Sequence, residues 1–308
     1  MPAPVPSDTS RPNTWDFLRE PMIAPSGFRE YDARWRYPDQ INLPGVQAIG
    51  LGLGTQMHEV GIRPDIVVGN DYRSYSLEVK QALMIGLMQA GIRVHDVGTC
   101  LSPMAYYAQF DLDVPAVAMV TASHNPNGWT GVKMGFDRPL THGPDEMTRL
   151  RDIVLTGRGM ARKGGSITRV DGIRDRYIAD LVGDFRLSRP LRIVCATGNG
   201  TAGAFAPEVL ARIGAEVIPL HTELDYTFPN YNPNPEALEM LHDMADAVRT
   251  HGADLAMGFD GDGDRCGIVD DRGEDRDGVH AGPEQRLLAG VERNPHESGG
   301  KSNGPRGA

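Results

Sequence analysis

Val114-Pro115-Ala116-Val117-Ala118-Met119-Val120-Thr121-Ala122-Ser123-His124-Asn125-Pro126-Asn127-Gly128 passes, within 15 residues, from small apolar and partly β-branched side chains to a polar turn. The stretch from Val114 to Val120 predicts a buried strand. Asn-Pro and Asn-Gly then end it. Open α/β sheets hold their ligands and reacting groups just beyond the carboxyl ends of their strands, which makes Ser123 the candidate nucleophile. Taken alone, the same turn reads first as a hydrogen-bonded loop.

A second stretch changes that balance. Gly258-Phe259-Asp260-Gly261-Asp262-Gly263-Asp264-Arg265 alternates acids with glycines, so a tightly turning backbone can aim three carboxylates at one point. Like charges at that spacing repel, and a bound cation is the natural resolution. Hard oxygen ligands with room for water and phosphate oxygen suit Mg²⁺. An EF-hand fails here: Arg265 stands where that loop needs glycine, Asp271 where it needs a bidentate Glu, and the preceding segment reads as strand. The bland alternative is a solvated acidic turn.

The two stretches together resemble the α-D-phosphohexomutases, the phosphomannomutase and phosphoglucomutase family. In that family the serine of a T-A-S-H-N-P loop carries the transferred phosphoryl group and a D-G-D-G-D-R loop holds Mg²⁺. The resemblance implies a phosphoserine at Ser123 and metal ligation by Ser123, Asp260, Asp262 and Asp264. It also implies phosphate or hydroxyl contacts by His124, charge neutralisation by Arg265, and an acid/base or charge-stabilising role for Lys133, ten residues after Ser123. By its residue type alone, a lysine in a short strand reads as a solvated edge residue. Phe28-Arg29-Glu30-Tyr31-Asp32 resembles the F-R-x-Y-D-I-R-G opening of the family and brings Arg29 to the site, with Ala33-Arg34-Trp35 departing from its I-R-G.

Outward from these loops the chain alternates strand and helix. Asp65 to Gly69, Ile92 to Val97 and Gly131 to Gly135 read as strands, and Leu77 to Ala90 reads as a helix closed by Gly91. Helical patterns follow at Asp145 to Leu155 and Gly172 to Gly183, with a Gly/Arg/Lys-rich loop between them. Pro44 to Gly61 is helical too, and its Gly50, Gly52, Gly54 series reads as close helix packing. A dinucleotide loop is rejected because no strand is expected before it and the spacing is wrong. A second run begins near Pro190: strands at Leu191 to Ala196 and Ala215 to Leu220, helices at Ala204 to Ile213 and Ala237 to Thr250. Asp254 to Phe259 delivers the aspartate loop, and Cys266 to Val269 leads out of it. The glycine-rich turn Thr197 to Gly203 is either a phosphate cradle or a tight strand-to-helix connection.

The expected fold is α/β: two consecutive domains, each with a mixed, largely parallel sheet covered by helices, as in the first two domains of phosphohexomutases. The expected organisation is a flexible leader at 1–21, a phosphoserine-loop domain at 22–187, a metal-loop domain at 188–272 and an irregular tail at 273–308, with a short apolar patch at 287–291. The family's sugar-reading G-E-x-S-G-H loop and its loop for the far phosphate are not found. The reading is therefore a Mg²⁺-dependent mutase interconverting hexose 1-phosphate and hexose 6-phosphate of mannose or glucose. The alternative is a truncated, catalytically incomplete fragment that keeps the phosphoserine and metal loops. A haloacid-dehalogenase phosphatase ranks last, because its aspartyl loop belongs after the first core strand.

A formal net charge of −10 over 308 residues argues against nucleic-acid and anionic-membrane partners. Three scattered cysteines give no disulfide framework and no zinc site, which fits a reducing, cytoplasmic compartment. No apolar run approaches the ~20 residues of a membrane helix. The expected partner is a phosphorylated hexose; the preferred sugar and the oligomeric state are left open.

Overall fold

The computed structural model describes residues 21–275. The expected leader and tail, with the apolar patch at 287–291, lie outside the described residues except at their inner ends. The first unit runs β1 (Ala33–Arg36), α1 (Leu43–Glu59), β2 (Asp65–Asn70), α2 (Ser76–Gln89), β3 (Arg93–Thr99), α3 (Ser102–Asp111), β4 (Ala116–Val120), β5 (Trp129–Gly135), α4 (Pro144–Leu155), β6 (Ser166–Arg169) and α5 (Ile173–Val182). Its strands form one six-stranded sheet in the order β1-β5-β4-β2-β3-β6. The β4–β2, β2–β3 and β3–β6 pairings are parallel; β5 pairs antiparallel with both β4 and β1.

The central strands are covered on both faces, which is why they read as unbroken apolar runs. Ile66, Val68, Ala116, Ala118 and Val120 face one core with Ile49, Leu53, Leu83 and Leu87 of the helices on that side. Val67, Val117 and Met119 face the other, with Met104, Ala105, Ala108 and Ile178. Small residues let α1 and α2 approach closely. A Cβ on Gly50 would lie 2.1 Å from the Leu83 carbonyl oxygen, and one on Gly86 2.0 Å from that of Gln47. Gly50→Ala gains about 1 kcal/mol of helix propensity. It must also push two helix backbones apart, an overpacking cost of about 1–3 kcal/mol or more. The expected net result is a lower Tm in thermal denaturation; an unchanged or higher Tm would show that the helices separate freely.

The second unit holds β7 (Arg192–Ala196), α6 (Ala206–Arg212), β8 (Glu216–Leu220), α7 (Leu238–His251), β9 (Leu255–Phe259) and β10 (Cys266–Asp270). The sheet order is β10-β9-β7-β8, parallel except for the β9–β10 hairpin, whose turn is the aspartate loop. α5 joins the units: Ile173 and Ile178 share a core with Ala202 and Phe205, and Arg174 pairs with Glu208.

Three elements go unread in the sequence: β1, α3 and β6. The β1 strand does precede the glycines of α1, correcting the expectation that no strand stands there. Those glycines still serve packing and touch no loop that could hold a nucleotide. The glycine-rich turn at 197–203 reads as a connection, because most of its amides are already engaged. Asn199 N–H donates to the His221 carbonyl at 2.7 Å, Gly200 N–H to that of Thr197 at 2.8 Å and Thr201 N–H to that of Gly261 at 3.2 Å. Among the described residues no helix is long and apolar enough to cross a membrane.

Candidate active site

Ser123 stands just past the carboxyl end of β4, with its backbone at φ +53°. A left-handed conformation costs a serine about 1–2 kcal/mol, so the surroundings must hold it there. Its N–H donates to Thr121 Oγ1 at 2.8 Å. Thr121 Oγ1 in turn donates to Asp71 Oδ2 at 2.8 Å, and the same oxygen accepts the Ala122 N–H at 3.2 Å. Asp71 opens the loop after β2, so two neighbouring parallel strands deliver the loop and its support together.

The aspartate loop meets Ser123 from the second unit. Asp260 Oδ1 turns into its own loop and accepts the N–H groups of Asp264 at 3.1 Å and Arg265 at 3.2 Å. Its Oδ2 accepts the Ser123 hydroxyl at 2.9 Å. Gly261 is required by proximity, since a Cβ there would lie 2.5 Å from the Ser123 carbonyl oxygen. Asp262 is fully buried, and Ser102, the first residue of α3, donates to it through its hydroxyl. The structure brings Lys133 into this cluster: β5 lies between β1 and β4 rather than at an edge, and Nζ donates to Asp262 Oδ2 at 2.7 Å and to Asp264 Oδ2.

Burial, then the charges of Asp262 and Asp264, push Asp260 well above the usual carboxylate range. Burial pushes Asp262 the same way. The Lys133 charge, hydrogen bonds from Lys133 and Ser102, and the Arg34 charge outweigh it and hold Asp262 low. Lys133, which burial would lower, is raised by the same two carboxylates and stays protonated.

Of the remaining sequence-predicted residues, His124 and Arg265 adjoin the two loops in sequence, and Arg29 makes no direct contact with Ser123 or the loop aspartates among the described residues. His124 is half-buried, with Nδ1 unpartnered among the described residues, and burial with the nearby Arg265 charge lowers its imidazole. Its carbonyl accepts from Asn232 Nδ2 of the second unit. The Arg265 side chain reaches toward Glu236, at 3.8 Å. Arg29 is exposed, its guanidinium over the Trp129 ring at 5.8 Å from the centroid. Arg34, passed over in the sequence, is the buried guanidinium whose charge helps hold Asp262 low. The signal for it is its place two residues after Asp32, where the family stretch also has arginine. Ser102 and Asp71 carry no sequence signal of their own; only tertiary contact places them.

Asp260, Asp262 and Asp264 each offer an oxygen within 4.8 Å of the others. Asp262 Oδ1 is buried without a partner among the described residues. An orphaned carboxylate oxygen within a hard, anionic donor set fits a divalent cation.

Comparison with known proteins covers the same ground. Residues 25–159 match the family model described as phosphoglucomutase/phosphomannomutase, alpha/beta/alpha domain I, and residues 175–273 match domain II of the same description. A phosphomannomutase/phosphoglucomutase of Pseudomonas syringae is 37% identical over 253 residues, 82% of this chain and 54% of that protein. A phosphoglucomutase of Neisseria meningitidis is 32% identical over 266 residues, 86% of this chain and 56% of that protein. A solved phosphoglucomutase/phosphomannomutase family protein of Burkholderia thailandensis superposes with a TM-score of 0.77 at 32% identity, covering 82% of this chain and 56% of its own. The chain thus spans about half the length of the curated relatives it matches.

Proposed function

The chain belongs to the phosphoglucomutase/phosphomannomutase family, and from that membership we propose that its two facing loops are the phosphoserine and metal site of a Mg²⁺-dependent phosphohexomutase. Ser123 carries the transferred phosphoryl group, and the substrate is a hexose phosphate of the mannose or glucose series. The observation that carries this reading is the 2.9 Å hydrogen bond from Ser123 Oγ to Asp260 Oδ2, which sets the acceptor hydroxyl against the acidic cluster. Asp260, Asp262 and Asp264 would hold the cation with the Ser123 oxygen. When bound, it neutralises charge on phosphoryl oxygens, the chief requirement of phosphoryl transfer.

In the forward half-reaction the bond between Ser123 Oγ and phosphorus breaks. A new bond forms from phosphorus to a sugar hydroxyl oxygen, whose proton passes in net terms to the departing Ser123 oxygen and regenerates the serine hydroxyl. Lys133, held protonated by two carboxylates, stabilises the charge on the departing serine oxygen. Arg34, Arg29 and Arg265 supply positive charge for the phosphates, and His124 donates to or accepts from the sugar hydroxyl. The bisphosphorylated sugar then turns and returns its other phosphoryl group to Ser123.

The test is a coupled assay of the folded chain with Mg²⁺, mannose 1-phosphate or glucose 1-phosphate, and a trace of the matching 1,6-bisphosphate. The expected result is formation of the 6-phosphate, lost on chelation. A folded chain that accepts a phosphoryl group yet gives no 6-phosphate would confine the reading to the half-reaction at Ser123.

A further inference from the structure

We propose that Arg73 is a positioning residue that locks the Ser123 loop in its reactive shape, and that Phe228 of the second unit covers the lock. The consequence for phosphoryl transfer rests on the function proposed above. Arg73 lies three residues beyond β2 and is buried. Its Nε donates to Asp71 Oδ2 at 3.1 Å. Nη2 donates to the carbonyl oxygens of Ser123 at 2.8 Å and Asn125 at 2.9 Å, and Nη1 reaches Asn127 Oδ1 at 3.4 Å. One planar group therefore grips the loop at three residues, while its carboxylate partner holds Thr121 and Ala122.

The left-handed backbone of Ser123 calls for such over-determination. Without the grip, the Ser123 carbonyl is free to rotate away from Gly261, carrying Oγ off Asp260. A lysine cannot replace the arginine here, because a single ammonium cannot span a carboxylate, two carbonyls and an amide in one plane. The second unit closes over this group. The Phe228 ring centroid is 5.2 Å from Arg73 Cζ, and Asn127 Nδ2 donates to the Tyr226 carbonyl at 2.8 Å. Seating of the 226–228 loop and the shape of the Ser123 loop are thus one event.

The test compares the full chain with Arg73→Lys and Phe228→Ala by hydrogen exchange on peptides spanning 121–128. Phosphoryl uptake from a hexose 1,6-bisphosphate is read alongside by intact mass. Arg73→Lys is expected to speed exchange in these peptides roughly tenfold while peptides of α1 and β7 keep wild-type protection. Its uptake rate at saturating bisphosphate falls roughly a hundredfold, as for a nucleophile displaced by about an ångström, with little change in the half-saturating concentration. Phe228→Ala speeds exchange in the same peptides by a smaller factor, and it decides the matter should Arg73→Lys fail to fold. Wild-type protection of 121–128 in a folded Arg73→Lys protein, or in Phe228→Ala, overturns the proposal. So does a change confined to the half-saturating concentration, which would make Arg73 a binding group. A wild-type chain that takes no phosphoryl group sinks the proposed function alone and leaves the exchange measurement to judge the lock.

Discussion

Ser123→Ala is expected to abolish phosphoryl uptake from hexose 1,6-bisphosphate, read as loss of the phosphorylated species by intact mass. Two serine hydroxyls donate into the acidic cluster: Ser123 to Asp260 at 2.9 Å and Ser102 to Asp262. Ser102 is 0% exposed and anchored at the start of α3, where its N–H also donates to the Asp262 carbonyl at 2.9 Å. Ser123 sits on a loop whose next residues, His124 and Asn125, are only half-buried, so a sugar phosphate can approach from that side. Ser102→Ala should therefore slow uptake by loosening Asp262, and Ser123→Ala should end it. Removing the Ser123 hydroxyl costs one neutral-to-acid hydrogen bond, about 1–2 kcal/mol, so the variant stays folded and its silence is chemical. A label that persists in Ser123→Ala and vanishes in Ser102→Ala would assign the chemistry to the wrong-looking serine and overturn the reading.

Asp262→Asn should have the second-largest effect, on metal affinity. Asp262 is the buried centre of the cluster, accepting from Ser102 and from Lys133 at 2.7 Å and keeping one oxygen without a partner among the described residues. An amide removes the charge and keeps one oxygen, which the Ser102 and Lys133 donors hold, so a nitrogen that cannot ligate replaces the unpartnered oxygen. Loss of an outer-shell partner alone costs metal sites about 10–100-fold, so loss of a ligand should weaken binding of Mg²⁺ or Mn²⁺ at least about a hundredfold. By mass action, metal at a hundred times the wild-type Kd adds about 2.7 kcal/mol to wild-type stability and roughly 0.4 kcal/mol to the variant. Titration calorimetry and thermal melts with and without chelator measure both. An Asn variant that binds metal within a few-fold of wild type would remove Asp262 from the ligand set.

How much of this was legible in the sequence depends on range. β2, β4, β7 and β9 are announced by continuous apolar runs, because strands covered on both faces need no polar alternation. Both loops are announced by turn chemistry, and the acidic spacing is local. What fails is non-local. β1, Ala33–Arg36, is four residues of alternating arginine, held by pairing with β5 and by the Trp35 side chain in the core. β6 is exposed along its whole length and carries no apolar pattern. Lys133 reads as an edge lysine until β1 covers β5, and Arg34, which the sequence does not single out, is buried on β1 in the same pairing. Asp71 and Arg73 look like an ordinary loop, since nothing in their own segment reveals that it lies under residues fifty positions later.

The hydroxyl and the carboxylates come from different sheets, with Gly261 pressed against the Ser123 carbonyl at their meeting point. The three carboxylates belong to the second unit and the hydroxyl to the first, so a phosphoryl group on Ser123 that shared a cation with those carboxylates would be a ligand of both units at once. Its binding energy must then surface as cooperativity. A ligand held across the seam adds to the contacts that already join the units, the core shared by Ile178, Ala202 and Phe205 and the Arg174–Glu208 pair, so a sharper unfolding transition is expected when the seam is filled.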